Sequence, residues 1–106
     1  MKLSQASKHQ KLAALAELDG WTFHPSRDVQ GFATSEYWTK DDDVIYSTYS
    51  LFYDTSYDAI IPLIQKLHKC GDVEKFVMKH CCVFTLNATP SQLSDAVLVA
   101  TGKFEV

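Results

Sequence analysis

Apolar residues recur at the three- and four-residue spacing of an amphipathic helix in three segments of the chain. A glycine follows each segment, and glycine suits the left-handed conformation that closes many helices. The third segment begins with Thr89, Pro90 and Gln92, which form a capping box with proline at the first helical position. We therefore predict three helices, roughly over residues 4–18, 56–69 and 89–102.

The second helical segment carries a proline inside its apolar stripe. Thr55 followed by Asp58 fits a capping box at its start. Pro62 removes a backbone donor and its ring clashes with the preceding turn. We predict either a kink at this point or a late helix start near Ile61.

Aromatic and β-branched residues dominate the stretch between the first two helices. They predict a hairpin whose strands cover residues 32–39 and 44–53, with its turn at residues 40–43. Residues 21–31 are predicted as a loop, and residues 81–86 as a short buried strand. The pattern leaves residues 73–79 open between a helix and a strand.

The predicted element order is α-β-β-α-(β)-β-α. Hairpin strands among helices indicate an α/β (α+β) domain, with about three helices covering a small antiparallel or mixed sheet on one or both faces. A chain of 106 residues has the length of one domain, so we expect a single domain over residues 1–106. We expect residues 1–4 to fray and residues 103–106 to form a short tail.

Composition and charge narrow the classes of function. With 46% hydrophobic and 22% charged residues the chain is typical of a globular protein, and its net charge of −3 lacks the basic footprint of a duplex nucleic-acid binder. No apolar run approaches the length of a membrane span, and the first ten residues are too polar for a signal peptide. Three cysteines, an odd number without CxxC spacing, predict reduced thiols in a cytoplasmic protein.

Motifs of catalysis and metal binding are weak. The chain has no P-loop, no GxSxG and no HExxH, so we expect neither enzymatic activity nor a cofactor. The side chains that suit a metal do not have zinc-finger spacing, and buried thiols with surface histidines are favoured over a metal site. These side chains are His68, Cys70, His80, Cys81 and Cys82.

An acidic and aromatic block in the predicted hairpin is the candidate binding surface. Its carboxylates interleave with aromatic rings, which favours a protein partner over nucleic acid. Acidic groups on such a surface mimic nucleic-acid phosphates toward a basic groove. The candidate contacts are Glu36, Asp41, Asp42 and Asp43, with Tyr37 and Trp38 as anchors. A solvated turn is the simpler interpretation of the three aspartates.

Three stretches in order along the chain carry a family resemblance. They are LAELDGW at residues 15–21, SYDAIIPLIQKL at residues 56–67 and ATPSQLSDA at residues 88–96, the last leading to Gly102. Together they resemble small bacteriophage proteins of the phage ABA sandwich type, whereas residues 32–52 and 70–82 depart from that pattern. The resemblance implies a helix/sheet/helix sandwich and a phage or prophage origin, with no catalytic residues to transfer.

These observations lead to one expected function and two alternatives. We expect a non-enzymatic protein that binds a host or phage protein in the host cytoplasm as a monomer or homodimer. The specific form is an inhibitor of a bacterial defence effector, as anti-CRISPR proteins are. One alternative is a self-associating phage structural or accessory protein. The other is a small ligand-binding protein or enzyme that uses His24, His80 or the cysteines.

Overall fold

A computed structural model describes residues 1–29 and 31–106, and the side chains of residues 27–29 and 32–34 lie outside that description. Gln30, which falls in the predicted loop, is outside the described residues. Within them the chain forms four α-helices, five short strands and three 3-10 turns. The helices are α1 (Lys8–Leu18), α2 (Tyr57–Lys66), α3 (Cys70–His80) and α4 (Pro90–Ala100). The strands are β1 (Thr22–His24), β2 (Arg27–Val29), β3 (Phe32–Thr34), β4 (Tyr37–Lys40) and β5 (Asp43–Ile45).

The main sheet is antiparallel, with strand order β1-β4-β5. Its central row pairs Phe23 with Trp38 and Trp38 with Ile45. The predicted hairpin is confirmed in β4 and β5, which turn at Asp41 and Asp42, but its first strand begins at Tyr37 rather than at residue 32. Its second strand ends at Ile45 rather than at residue 53, because the chain turns into a 3-10 helix at Thr48–Ser50.

Strands β1 and β2 correct the predicted loop over residues 21–31. β1 pairs with β4, and β2 forms a separate antiparallel hairpin with β3. Each strand has only three residues, which is too short for apolar alternation to reveal it from sequence.

Local capping sets the start of the first and last helices. Thr89 and Gln92 form the predicted capping box of α4, which confirms that prediction. Ser7 and Gln10 form a second capping box, so α1 begins at Lys8 rather than near residue 4. The preceding residues instead form a 3-10 turn at Leu3–Gln5.

Helix α2 differs from its prediction at its beginning. Its N-cap is Ser56, without a side-chain hydrogen bond, so the predicted capping box at Thr55 and Asp58 is wrong. The helix starts at Tyr57 and continues through Pro62, which rules out the late start. Because proline has no N–H, the Asp58 carbonyl loses its i→i−4 helical donor.

The chain after α2 was the least well predicted region. Residues 70–80 form helix α3, whose buried Val73 and Val77 lie four residues apart on one face. The predicted buried strand at 81–86 is wrong, since Cys82, Phe84 and Leu86 are exposed. Cys82 takes the left-handed conformation with φ of 55°, which interrupts an extended strand.

The core lies between the helices and one face of the sheet. Helix α4 is at its centre and buries five residues, while α1 and the sheet contribute their inward side chains. The fully buried large side chains include Leu12, Leu15, Trp38, Ile60, Leu63, Leu93, Val97 and Leu98. These contacts confirm the α+β class.

The opposite face of the sheet is partly open to solvent. Thr22 and Val44 share this face by register, and both are exposed. The structure has four helices, where about three were expected.

The two ends of the chain lie side by side. The Leu3 N–H donates to the Glu105 carbonyl at 2.6 Å, and Lys2 and Glu105 form a parallel bridge. Phe104, in the predicted tail, is buried in the core. Residues 1–4 thus pair with the tail instead of standing free. No helix in the described part of the chain has the length and apolar character needed to cross a membrane.

Candidate functional site

The predicted binding residues separate into three environments. Glu36 and Trp38 belong to a network beneath the sheet, and Tyr37 lies on the opposite face. Asp41 and Asp42 form the turn, with Asp43 directly after it. The structure thus brings the three aspartates together and places the other predicted binding residues on different sides of the sheet.

Trp38 is wrong as a surface anchor, because its side chain is 1% exposed. Its indole N–H donates to Thr48 Oγ1 at 2.8 Å, and the Thr48 hydroxyl lies 3.4 Å from Glu36 Oε1. His9 Nε2 lies 3.0 Å from the same Glu36 oxygen. Glu36 is therefore occupied by an internal partner, and this chain links the core to the start of α1.

Tyr37 lies on the same face of the sheet as Thr22 and Val44, which we call the open face. Its ring stacks on His24 with centroids 4.4 Å apart and planes 5° from parallel. His24 Nε2 lies 2.9 Å from Thr39 Oγ1, which shares that face. His24 therefore has a stacking partner and a hydrogen-bonding partner on this face. The side chains of Arg27 and Asp28, candidates for a polar site beside it, lie outside the described residues.

The aspartates sit at the tip of the β4–β5 hairpin, next to two large exposed side chains. Asp41, Asp42 and Asp43 are all exposed, and within the described side chains no cation is within ion-pair distance of them. Val44 is 45% exposed on the open face, and Tyr46, just beyond β5, is 77% exposed. We call these five residues the turn surface.

A second feature, which the sequence did not predict, is a polar cluster around Asp19 at the end of α1. The Tyr53 hydroxyl donates to Asp19 Oδ2 at 2.6 Å, and Lys66 Nζ donates to the Asp19 backbone carbonyl at 2.8 Å. Lys40 Nζ and Lys66 Nζ lie 3.3 and 3.2 Å from Asp19 Oδ1. Lys40 Nζ also lies 5.7 Å from the centre of the Trp21 ring. The cluster joins α1, β4 and α2.

Ionisation of the cluster follows from these contacts. Burial by itself raises the pKa of Asp19, but hydrogen bonds from Tyr53 and Lys66 and the charge of Lys40 outweigh it and lower the pKa below its usual 3.8. Burial first, and then the Asp19 carboxylate, raise the pKa of Tyr53 far above its usual value. Asp19 is thus an anion at neutral pH, and Tyr53 remains a hydrogen-bond donor to it.

The cluster forms one wall of a cleft of about 530 Å³, the size of a small-molecule site. The other walls come from α2 and from the chain after β5. Apart from the cluster and Trp21, the lining residues are Ile45, Ser50, Leu51, Phe52, Ser56, Asp58, Ala59, Pro62 and Leu63. The cleft therefore has a mainly apolar floor with charged side chains at its edges.

The cysteines and remaining histidines do not converge. Cys70, Cys81 and Cys82 are free thiols, but Cys70 and Cys82 are exposed, so the predicted burial of the thiols is wrong for these two. Burial raises the pKa of Cys81, so its thiol ionises less readily. Among the described residues, no three His, Cys, Asp or Glu side chains are placed to hold a metal ion. His80 packs on Phe76 with ring centroids 4.8 Å apart.

Sequence reasoning missed the cleft because its charged residues are far apart along the chain. Asp19 and Gly20 were interpreted only as a helix stop, which they are, since Gly20 has φ of 95°. Nothing near residue 19 indicates that Tyr53 and Lys66 bind it. Only tertiary structure brings them together.

Comparisons with known proteins give no relative. The chain matches no family model, no curated protein and no solved structure.

Proposed function

We propose that this protein acts by binding another protein through the turn surface, without catalysing a reaction. The observation that carries this proposal is that three aspartates are exposed at the turn. Among the described side chains, no lysine, arginine or histidine lies within ion-pair distance of them. Lys40, the nearest lysine in sequence, is directed to Asp19 instead. The turn therefore presents negative charge outward.

The partner surface that complements the turn is basic. Like-charged surfaces repel and opposite charges steer association, so a groove lined with Lys and Arg is the preferred contact. Exposed charges alone bury no apolar area in a complex, and Tyr46 and Val44 supply that area. Tyrosine is also enriched at protein interfaces. Nucleic acid is disfavoured, because its phosphates would meet the carboxylates of the turn.

The specific form that we propose is a phage or prophage inhibitor of a bacterial defence effector, working in the host cytoplasm. Two observations support it: the resemblance of residues 15–21, 56–67 and 88–96 to phage ABA sandwich proteins, and the acidic turn. A defence effector that binds nucleic acid has a basic groove, and a row of carboxylates competes for it.

The test is capture from an infected or prophage-bearing host with wild-type protein and a variant carrying Asp41→Asn, Asp42→Asn and Asp43→Asn. Asparagine is the better replacement, because Asp41 has φ of 52°, a conformation that asparagine tolerates and alanine does not. We expect the triple variant to bind the captured protein about tenfold more weakly, the sum of three modest exposed charge contacts.

A matched control neutralises three carboxylates elsewhere, with Asp72→Asn, Glu74→Gln and Glu105→Gln. It has the same net charge as the turn variant, so equal losses in both would mean that only overall charge matters. A folded turn variant that binds at wild-type strength would remove the turn surface from the function.

One surface favours the alternative of self-association. Met78, Phe84 and Leu86 are 49, 67 and 97% exposed, at the end of α3 and just after it. Large exposed apolar groups of this kind mark interaction sites. Light scattering over a range of concentrations distinguishes a dimer from a monomer. If the dimer forms through this surface, the double variant Phe84→Ser and Leu86→Ser is expected to be monomeric.

A further inference from the structure

The cleft described above has opposite charges at its two ends. At the α1 end, Lys40 and Lys66 share the single carboxylate of Asp19. Two ammonium groups against one carboxylate leave an excess of one positive charge. Lys40 makes one hydrogen-bond-length contact with that carboxylate, so its ammonium keeps further N–H groups for a ligand.

The other end is negative. Asp58 lines the cleft, one residue inside the start of α2. Its backbone carbonyl has no i→i−4 donor because Pro62 has no N–H, and Pro62 lines the same cleft. Ser56 also lines the cleft. A carboxylate, a carbonyl acceptor and a hydroxyl make this end suited to a group that donates hydrogen bonds.

The span between the two ends limits the ligand. Asp58 and Lys66 are eight residues apart on one helix, which is about 12 Å along its axis. An extended peptide advances about 3.4 Å per residue, so three or four residues cover this span. The floor between the ends is apolar, with Leu51, Phe52 and Leu63.

We infer that the cleft binds a short apolar peptide with free ends, its carboxylate at Lys40 and Lys66 and its ammonium at Asp58. A structural role explains the lysines as a tether of Asp19, and Asp58 as a favourable charge at a helix N-terminus. It does not explain why both charged ends open into one apolar cleft. A polyanion is a poor occupant, because Asp58 repels its second charge.

The experiment is an NMR titration of ¹⁵N-labelled protein with the tripeptide Gly-Leu-Phe. Trp21 lines the cleft and Trp38 is buried away from it, so the two indole N–H signals provide a reporter and an internal control. We expect the Trp21 signal to shift to saturation while the Trp38 signal stays in place. The inference is overturned if the Trp21 signal does not shift, or if the Trp21 and Trp38 signals shift equally.

Blocked peptides test the two ends separately. The C-terminal amide of Gly-Leu-Phe removes the carboxylate, and its N-acetyl form removes the ammonium. Each is expected to bind about fivefold more weakly, as for the loss of one partly exposed charge pair. Equal binding of either blocked form overturns the inference. So does equal binding of 4-phenylbutyrate, which has a carboxylate and an apolar body but no ammonium.

Variants place the peptide in this cleft. Lys66→Gln is expected to remove the preference for the free carboxylate, with Lys75→Gln on α3 as its control. Asp58→Asn is expected to remove the preference for the free ammonium. Because this substitution leaves the Asp19 cluster intact, it remains a usable test even if Lys66→Gln folds poorly. Its control is Asp72→Asn, in the first turn of α3. The inference is overturned if Asp58→Asn still prefers the peptide with a free ammonium over its N-acetyl form.

Discussion

The hydroxyl of Tyr53 donates a 2.6 Å hydrogen bond to Asp19 Oδ2, joining residues 34 positions apart. Tyr53 is 4% exposed, so its hydroxyl has little water to replace this acceptor. The bond fixes the chain after β5 against the end of α1. Together with the two lysines, it shapes one wall of the cleft.

Tyr53→Phe is expected to lower the free energy of unfolding by about 1.5–3 kcal/mol, the usual range for a hydrogen bond to a charged group. Phenylalanine keeps the packing of the ring, so the loss reports the hydroxyl alone. Urea denaturation measures it. Tyr46→Phe, on an exposed ring, is the control and should change stability by less than about 0.5 kcal/mol.

Stability should fall at acid pH through Asp19. Its pKa in the folded protein is lowered, so the stability that it contributes is complete above the unfolded value of 3.8. That contribution is lost as the pH falls through the lower, folded pKa. Unfolding free energies measured between pH 7 and 2 should show a steeper decline in the wild type than in Asp19→Asn. Parallel curves for the two proteins would contradict the assigned role of this carboxylate.

Trp38→Phe should cost about 2 kcal/mol of stability. The smaller ring leaves space in a packed core, and the Thr48 hydroxyl loses the donor that lies 2.8 Å away. Thermal unfolding followed by circular dichroism checks this. Because Trp38 is buried, the substitution should leave partner capture through the turn surface unchanged in the folded protein, unlike the triple asparagine variant.

Thr89→Ala should destabilise the protein by about 1 kcal/mol, the usual value of an N-cap side chain. The cap begins α4, which supplies five buried residues to the core, so its loss weakens the whole fold. Ser7→Ala removes the equivalent cap from α1 and leaves α4 untouched. Hydrogen exchange should show local opening at the start of α1 in Ser7→Ala, and a general loss of protection in Thr89→Ala.

Local signals in the sequence predicted several local features, although the capping box at Thr55 and Asp58 did not form. The capping box at Thr89 and Gln92, the hairpin turn near Asp41, and the helix stop at Gly20 all depend on residues within a few positions of one another. The same local reasoning failed at residues 81–86, because a β-prone composition forms a strand only where a partner strand is available.

The candidate sites show the same division. The three aspartates of the turn surface were predicted from their run in the sequence, whereas Val44 and Tyr46 were not among the predicted contacts. Burial of Trp38 was not predictable, because both faces of the hairpin strands carry mixed side chains. The cleft depends on Asp19, Tyr53 and Lys66 meeting in space, which no spacing along the chain reveals.

The three-stranded sheet has another consequence for the behaviour of the protein in solution. Strand β5 is the last in the order β1-β4-β5, so its outer side has no described strand to pair with. Unpaired strand edges invite joining between molecules, and charged side chains at the edge oppose it. Asp43 begins this strand, directly after Asp42, so mutual repulsion of these carboxylates is expected to oppose the pairing of two copies through this edge. Strong acid neutralises these carboxylates and should therefore promote aggregation.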